Sequence, residues 1–298
     1  MNGKACTVEC AVANLDGQRP ATAFGCPRDF LDNRYVYTVI SPRARGMSIG
    51  VNMNPDKKCN FDCIYCEVNR DNVNGKPHDL DVNVMATELQ KTLLLVHSGG
   101  IWERCAYRTV SNELLQLRHV ALSGDGEPTL CPNFSEAVES VIHVRAKNPF
   151  MYFKLVLITN GSGLDLPNVQ QSLKYFTRDD EIWIKLDAGT QEYMDEINRS
   201  EVPLEKIISN ILLVAHQRPV TIQSLFAKLH DEEPPAEEID EYINRLQELK
   251  NGGAKIAMVQ IYSATRPMSR GDCGHLPLKY LSNLRQRIKS IGLRAEVF

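Results

Sequence analysis

Cys59-Asn60-Phe61-Asp62-Cys63-Ile64-Tyr65-Cys66 places three cysteines in eight residues with the spacing C-x3-C-x2-C. An apolar run at 47–53 leads straight into this stretch, so the cysteines fall on a loop leaving a strand. Three thiolates this close can grip a soft metal centre. Structural zinc takes four ligands and usually draws them from C-x2-C pairs, which makes three an odd number for it. Iron–sulfur cubanes also take cysteine thiolates, ordinarily four. A cubane held by only three leaves one iron open to a substrate or a cofactor. A zinc knuckle and a set of buried free thiols are the competing readings of the same residues.

Working outward, the chain alternates strand and helix. Runs at 35–40 and 47–53 are β-rich and are split by Ser41-Pro-Arg-Ala-Arg-Gly46. Strand patterns follow at 117–122, 154–158, 181–188, 220–226 and 256–262, with helical periodicity at 82–96, 134–144, 166–176, 191–198, 204–216, 237–249 and 276–291. Residues 294–298 can add an edge strand. Strand followed by helix about six times predicts an α/β fold, with parallel strands and helices covering the sheet. Residues 1–34 show loop signals and no clear period, which predicts an N-terminal extension ahead of one domain at 35–298.

The 298 residues are 43% hydrophobic and 24% charged, a soluble globular composition. Net charge is −3, so no overall basic field draws nucleic acid. The nine cysteines are Cys6, Cys10, Cys26, Cys59, Cys63, Cys66, Cys105, Cys131 and Cys273. An odd count, a first stretch without a basic-then-apolar leader, and no apolar run of membrane-spanning length predict a reducing cytoplasm and no membrane.

Five further groups of residues stand at predicted strand ends. Gly124-Asp125-Gly126-Glu127-Pro128 is a turn whose glycines allow close approach of a ligand, and whose carbonyls and Glu127 can accept from an ammonium. Thr159-Asn160-Gly161 ends the next strand. Lys185 and Asp187 share one face of theirs, where two charges need each other or a ligand. Gln223 is a further amide at a strand end, and Gln260 and Tyr262 alternate on the last strand. A surface turn, a loop cap, an internal Lys–Asp pair and a core tyrosine are the plain readings of these residues.

In this order, the stretches GVNMNPDKKCNFDCIYCE, LSGDGEPTL, ITNG, IWIKLDAG and VQIYSATRP resemble the radical S-adenosylmethionine (SAM) superfamily. The likeness is to its short Fe–S oxidoreductase branch, relatives of the wybutosine-type RNA-modifying enzymes. It implies a partial (βα)6 barrel, with chemistry at the C-terminal strand ends. It implies that Cys59, Cys63 and Cys66 hold a [4Fe–4S] cluster whose fourth iron binds SAM. The SAM site would draw on Tyr65, Gly124, Gly126, Glu127, Asn160, Lys185, Asp187 and Gln223, with Lys185 on the carboxylate and Asp187 on a ribose hydroxyl. Asp125 stands where the family's Gly-Gly-Glu-Pro motif has its first glycine.

The implied activity is reductive SAM cleavage, with hydrogen abstraction from a nucleoside, an RNA base or a small molecule. The electron would come from flavodoxin or ferredoxin. Tyr262 and Cys273 are candidates near the substrate, Arg266 and Arg270 for gripping its anionic group. Cys6, Cys10, Cys26 and Cys273 are candidates for a second cluster. A non-catalytic Fe–S or zinc protein for binding or electron transfer is the alternative, and no oligomeric state follows from the sequence.

Overall fold

β1 (Val36–Ser41) and β2 (Gly46–Asn52) form an antiparallel hairpin, with Val36 opposite Val51 and Ser41 opposite Gly46. They are the two β-rich runs around the Ser41–Gly46 turn. The computed structural model describes residues 30–70, 79–264 and 273–298. Cys6, Cys10, Cys26, Arg266 and Arg270, most of the expected N-terminal extension and part of the polar insert after the cysteines lie outside the described residues.

From β2 the sheet continues in chain order through β3 (Leu117–Ser123), β4 (Lys154–Thr159), β5 (Glu181–Lys185) and β6 (Val220–Leu225) to β8 (Ile256–Tyr262), every pairing parallel. β10 (Ala295–Val297) adds a last parallel strand beside β8. This is the expected six-stranded parallel core of a partial barrel, extended by a strand at each edge. A separate two-stranded sheet, β7 (Lys228–Leu229) with β9 (Cys273–Gly274), escapes sequence reading because two residues carry no periodicity.

The connecting helices are α1 (Val82–His97), α2 (Phe134–Lys147), α3 (Pro167–Leu173), α4 (Gln191–Ile197), α5 (Leu204–Ala215), α6 (Ala236–Asn251) and α7 (Leu278–Ser290). Helix α3 is shorter than the expected 166–176. Pro167 fixes its first turn, and the chain leaves the helix after Leu173. Asp81 caps α1, its carboxylate accepting from the amides of Asn83 and Val84 at 3.0 and 3.1 Å. Asp81→Ala is expected to lower stability by about 1 kcal/mol, read by urea unfolding.

Alternation sorts the strand residues. Ile49, Val51, Val120, Leu122, Leu155, Leu157, Ile182, Ile184, Ile222, Val259 and Ile261 join the helices in the main core. The opposite face carries Ser48, His119 and Lys154 side by side at one level, and Lys185, Gln223, Gln260 and Glu296 at another. The inner face of the curl is therefore polar, which a sheet built only for packing would not need. A second small core of Phe30, Tyr37, Val39, Ile40, Met47, Ile101, Tyr107 and Leu115 covers the β1 edge. Among the described residues no helix is long and apolar enough to cross a membrane.

Candidate metal and cofactor site

The cysteine loop is fastened to the C-terminal ends of the strands by its own backbone. The Glu127 amide donates to the Lys58 carbonyl at 3.2 Å, and Asn54 Nδ2 donates to the Glu127 carbonyl at 3.1 Å. On the other side, the amides of Asp62 and Ile64 donate to the carbonyls of Asn198 and Ile197, each at 3.0 Å. Asn60 bridges to the end of β4, donating to Ser162 Oγ and accepting from Asn160 Nδ2, both at 2.9 Å.

This docking gives the turn after β3 a structural role of its own. A Cβ on Gly126 would lie 1.7 Å from the Lys58 carbonyl oxygen. Gly126 is thus required by the close approach of the cysteine loop itself. Gly124 is similarly confined, with Asn54 Oδ1 at 2.6 Å from where its Cβ would be. Asp125 tightens the turn: it exchanges hydrogen bonds with Asn52, whose Oδ1 accepts from the Asp125 amide at 2.9 Å and whose Nδ2 donates to Asp125 Oδ2 at 2.8 Å.

Each of the three thiols receives an N–H donor. The Phe61 amide points at Cys59 Sγ at 3.5 Å, Asn198 Nδ2 at Cys63 Sγ at 3.3 Å, and Arg70 Nη1 at Cys66 Sγ at 3.2 Å. Arg70 also donates to the carbonyls of Asp125 and Lys57 at 3.1 and 3.3 Å, so one guanidinium ties the thiol to both supporting loops. Burial pushes the Cys59 thiol up to about 11 and the Cys63 thiol up to about 12. As thiolates they would need a compensating positive centre, which a bound metal supplies. Among the described residues, no three His, Cys, Asp or Glu side chains are gathered closely enough to hold a single metal ion.

Glu127 turns inward instead of outward. One carboxylate oxygen accepts from the Thr129 amide at 3.0 Å, Thr129 Oγ1 at 2.6 Å and Thr159 Oγ1 at 2.5 Å, and the other from the Asn160 amide at 2.7 Å. Burial pushes its pKa up, and these four donors oppose that. The carboxylate thereby joins the turn after β3 to the end of β4. Asn160 caps the loop after β4, its Oδ1 accepting from the Ser162 amide at 3.0 Å.

Lys185 and Asp187 do share a face and meet as an ion pair at 2.9 Å, the plain reading of their spacing. Asp187 also accepts from the Leu225 amide at 2.8 Å, from Asn198 Nδ2 at 3.0 Å and from the Tyr65 hydroxyl. Lys185 donates to Tyr262 Oη at 2.8 Å and lies over the rings of Tyr65 and Tyr262. Burial alone would lower its pKa, but Asp187 and Tyr262 outweigh burial and hold it up. Burial, then the Asp187 charge, keeps the Tyr65 phenol protonated. Gln223 donates to Gln260 at 2.8 Å, both fully buried. Cys273 packs in the main core through β9.

Asn54, Arg70 and Asn198 were not singled out by the sequence. Asn54 Oδ1 is buried beside Gly124 with no hydrogen-bond partner among the described residues. Only the NMN and EINRS contexts mark these asparagines in the sequence, and neither is distinctive.

No family model matches the chain. Curated relatives include a UPF0026 protein of Helicobacter pylori, 30% identical over 179 residues, which cover 59% of this chain and 49% of the relative. Another is a UPF0026 protein of Methanocaldococcus jannaschii, 26% identical over 175 residues. The chain spans about half the length of the curated relatives it matches. Among solved structures, a radical SAM methyltransferase from Sphaerobacter thermophilus superposes with a TM-score of 0.61 over 88% of this chain and 68% of its own, at 14% identity. The fold is that of the radical SAM enzymes. TYW1 with a lysine–pyruvate adduct bound has a TM-score of 0.55 over 86% of this chain and 84% of its own, at 17% identity. Streptococcus suis SuiB bound to S-adenosylmethionine has a TM-score of 0.56 over 84% of this chain and 49% of its own, at 14% identity. In this radical SAM fold the cysteine loop, the turn after β3 and the ends of β4 and β5 meet at one end of the sheet.

Proposed function

We propose that the chain is a radical SAM enzyme in which Cys59, Cys63 and Cys66 each bind one iron of a [4Fe–4S] cluster. The observation that carries this reading is the loop: three thiols on one docked segment, each supplied with an N–H donor. N–H donors to cluster sulfurs are an ordinary means of tuning such a centre. A cluster takes its thiolates on separate irons, so they need not converge on a point as ligands of one zinc ion must. When bound, the cluster and SAM together supply a 5′-deoxyadenosyl radical that abstracts a hydrogen atom.

The protein's own part is to bind, orient and keep dry. Asn54 Oδ1, the orphaned acceptor beside Gly124, suits the amino group of SAM, a role the sequence reading gave to Glu127. Lys185 is proposed for the carboxylate and Asp187 for a ribose hydroxyl, with Gln223 and the Tyr65 ring lining the same inner face. The substrate class is a nucleoside, an RNA base or a small molecule, and flavodoxin or ferredoxin is the proposed reductant.

Anaerobic iron and sulfide analysis with EPR of the reduced protein tests this. About four irons per chain and a signal that changes when SAM is added are expected. Zinc in place of iron, or a signal indifferent to SAM, would instead support the non-catalytic metal-binding reading.

A further inference from the structure

The turn between β1 and β2 reaches across the sheet to its opposite edge. Arg45 pairs with Glu296 of β10 at 2.5 Å, and the Arg43 guanidinium lies over the ring of Tyr262 on β8, 4.4 Å from its centroid. The Arg45 pair is exposed and contributes little on its own. Arg43 is different. It is half-buried, and among the described residues no hydrogen bond or ion pair engages its guanidinium. Stacking on a ring uses the face of the guanidinium and leaves the N–H donors around its rim available.

The charges around it do not neutralise it. Lys185, on the same tyrosine ring at 4.9 Å, is matched by Asp187. Glu181 is matched by Lys154 at 2.6 Å and accepts from Trp183 Nε1 at 2.7 Å. Among the described residues Lys185, Lys154, Arg45 and Arg294 each have a carboxylate partner, and Arg43 has none. Beside it on this face is His119, 3% exposed, whose imidazole meets Trp183 edge to face at 5.3 Å. No hydrogen bond among the described residues engages the His119 ring. Burial first, then Lys154 and Arg43, lower its pKa to about 3, so near neutral pH it is uncharged, with one nitrogen to donate and one to accept. Among the described residues no hydrogen bond engages the His119 ring or the Arg43 guanidinium, and N–H donors on this polar inner face suit an anionic ligand.

We infer that Arg43, stacked on Tyr262 and facing the inner side of the sheet with His119, binds a carboxylate or phosphate group of the substrate. Calling that ligand the substrate rests on the radical SAM reading; the anion binding does not. A guanidinium rim matches either oxyanion through paired hydrogen bonds. Arg43 and Lys185 share the Tyr262 ring, so this locus adjoins the residues proposed for SAM.

Isothermal titration calorimetry on the full chain tests it, with acetate, inorganic phosphate, uridine and uridine 5′-monophosphate as probes. The wild type is expected to bind uridine 5′-monophosphate at least 10-fold more tightly than uridine. Arg43→Gln should remove that preference, and Arg43→Lys should keep part of it. Acetate against phosphate tells which oxyanion is favoured. Equal binding of charged and neutral probes by the wild type, or the same preference in Arg43→Gln, would overturn the inference. So would loss of the SAM-dependent EPR change in Arg43→Gln, because Arg43 would then serve the cofactor. If the wild type shows the anion preference and no SAM response, the radical SAM reading fails while the anion site stands.

Discussion

Gly126→Ala is expected to yield folded protein that carries less than about a tenth of the wild-type iron after anaerobic reconstitution. The added methyl would lie 1.7 Å from the Lys58 carbonyl oxygen, well inside contact distance. That oxygen is backbone, so no side-chain rotation relieves the clash. Either the cysteine loop or the turn after β3 must move, and the Glu127-to-Lys58 and Asn54-to-Glu127 hydrogen bonds hold the two together. The strands beneath make their own ladder and stay in place. Iron and sulfide content, with far-UV circular dichroism as the folding control, checks this. Wild-type iron content in Gly126→Ala would show that cluster assembly does not depend on this docking.

Asp187→Leu carries the second large effect, a loss of about 3–5 kcal/mol in urea unfolding, because it strands a buried ammonium. Asp187 has 1% side-chain exposure and Lys185 15%, so solvent cannot replace the lost partner. The double variant Lys185→Met with Asp187→Leu removes both charges. It should recover a large part of the loss, since an apolar pair of similar volume can substitute for a buried ion pair. Full recovery is not expected, because the Leu225 amide, Asn198 and Tyr65 still lack their acceptor. If the pair also serves SAM, the double variant should retain iron and lose the SAM-dependent EPR change. A double variant that still responds to SAM as the wild type does would make the pair purely structural.

These two positions show where sequence reasoning reached and where it stopped. The sequence by itself determined the alternation of strands and helices, and thereby a parallel sheet covered by helices, because period two and period 3.6 are local properties of the backbone. It determined that three thiols share one loop, and that Lys185 and Asp187 share one face of a strand. Only the tertiary structure decided what those groups meet. Glu127, expected to accept from an ammonium, also ties the turn after β3 to the end of β4. Gly126, expected to give a cofactor room, also makes room for the Lys58 carbonyl. Asn198, Arg70 and Asn54 went unmarked, although two of them address the thiols and the third is an orphaned acceptor beside Gly124. Arg43 sat in a turn that gave no sign of spanning the sheet to Tyr262, 219 positions away. Spacing along the chain fixes neighbours within a few residues. Contacts between separate strand ends exist only once the sheet has curled and brought its loops and edges together.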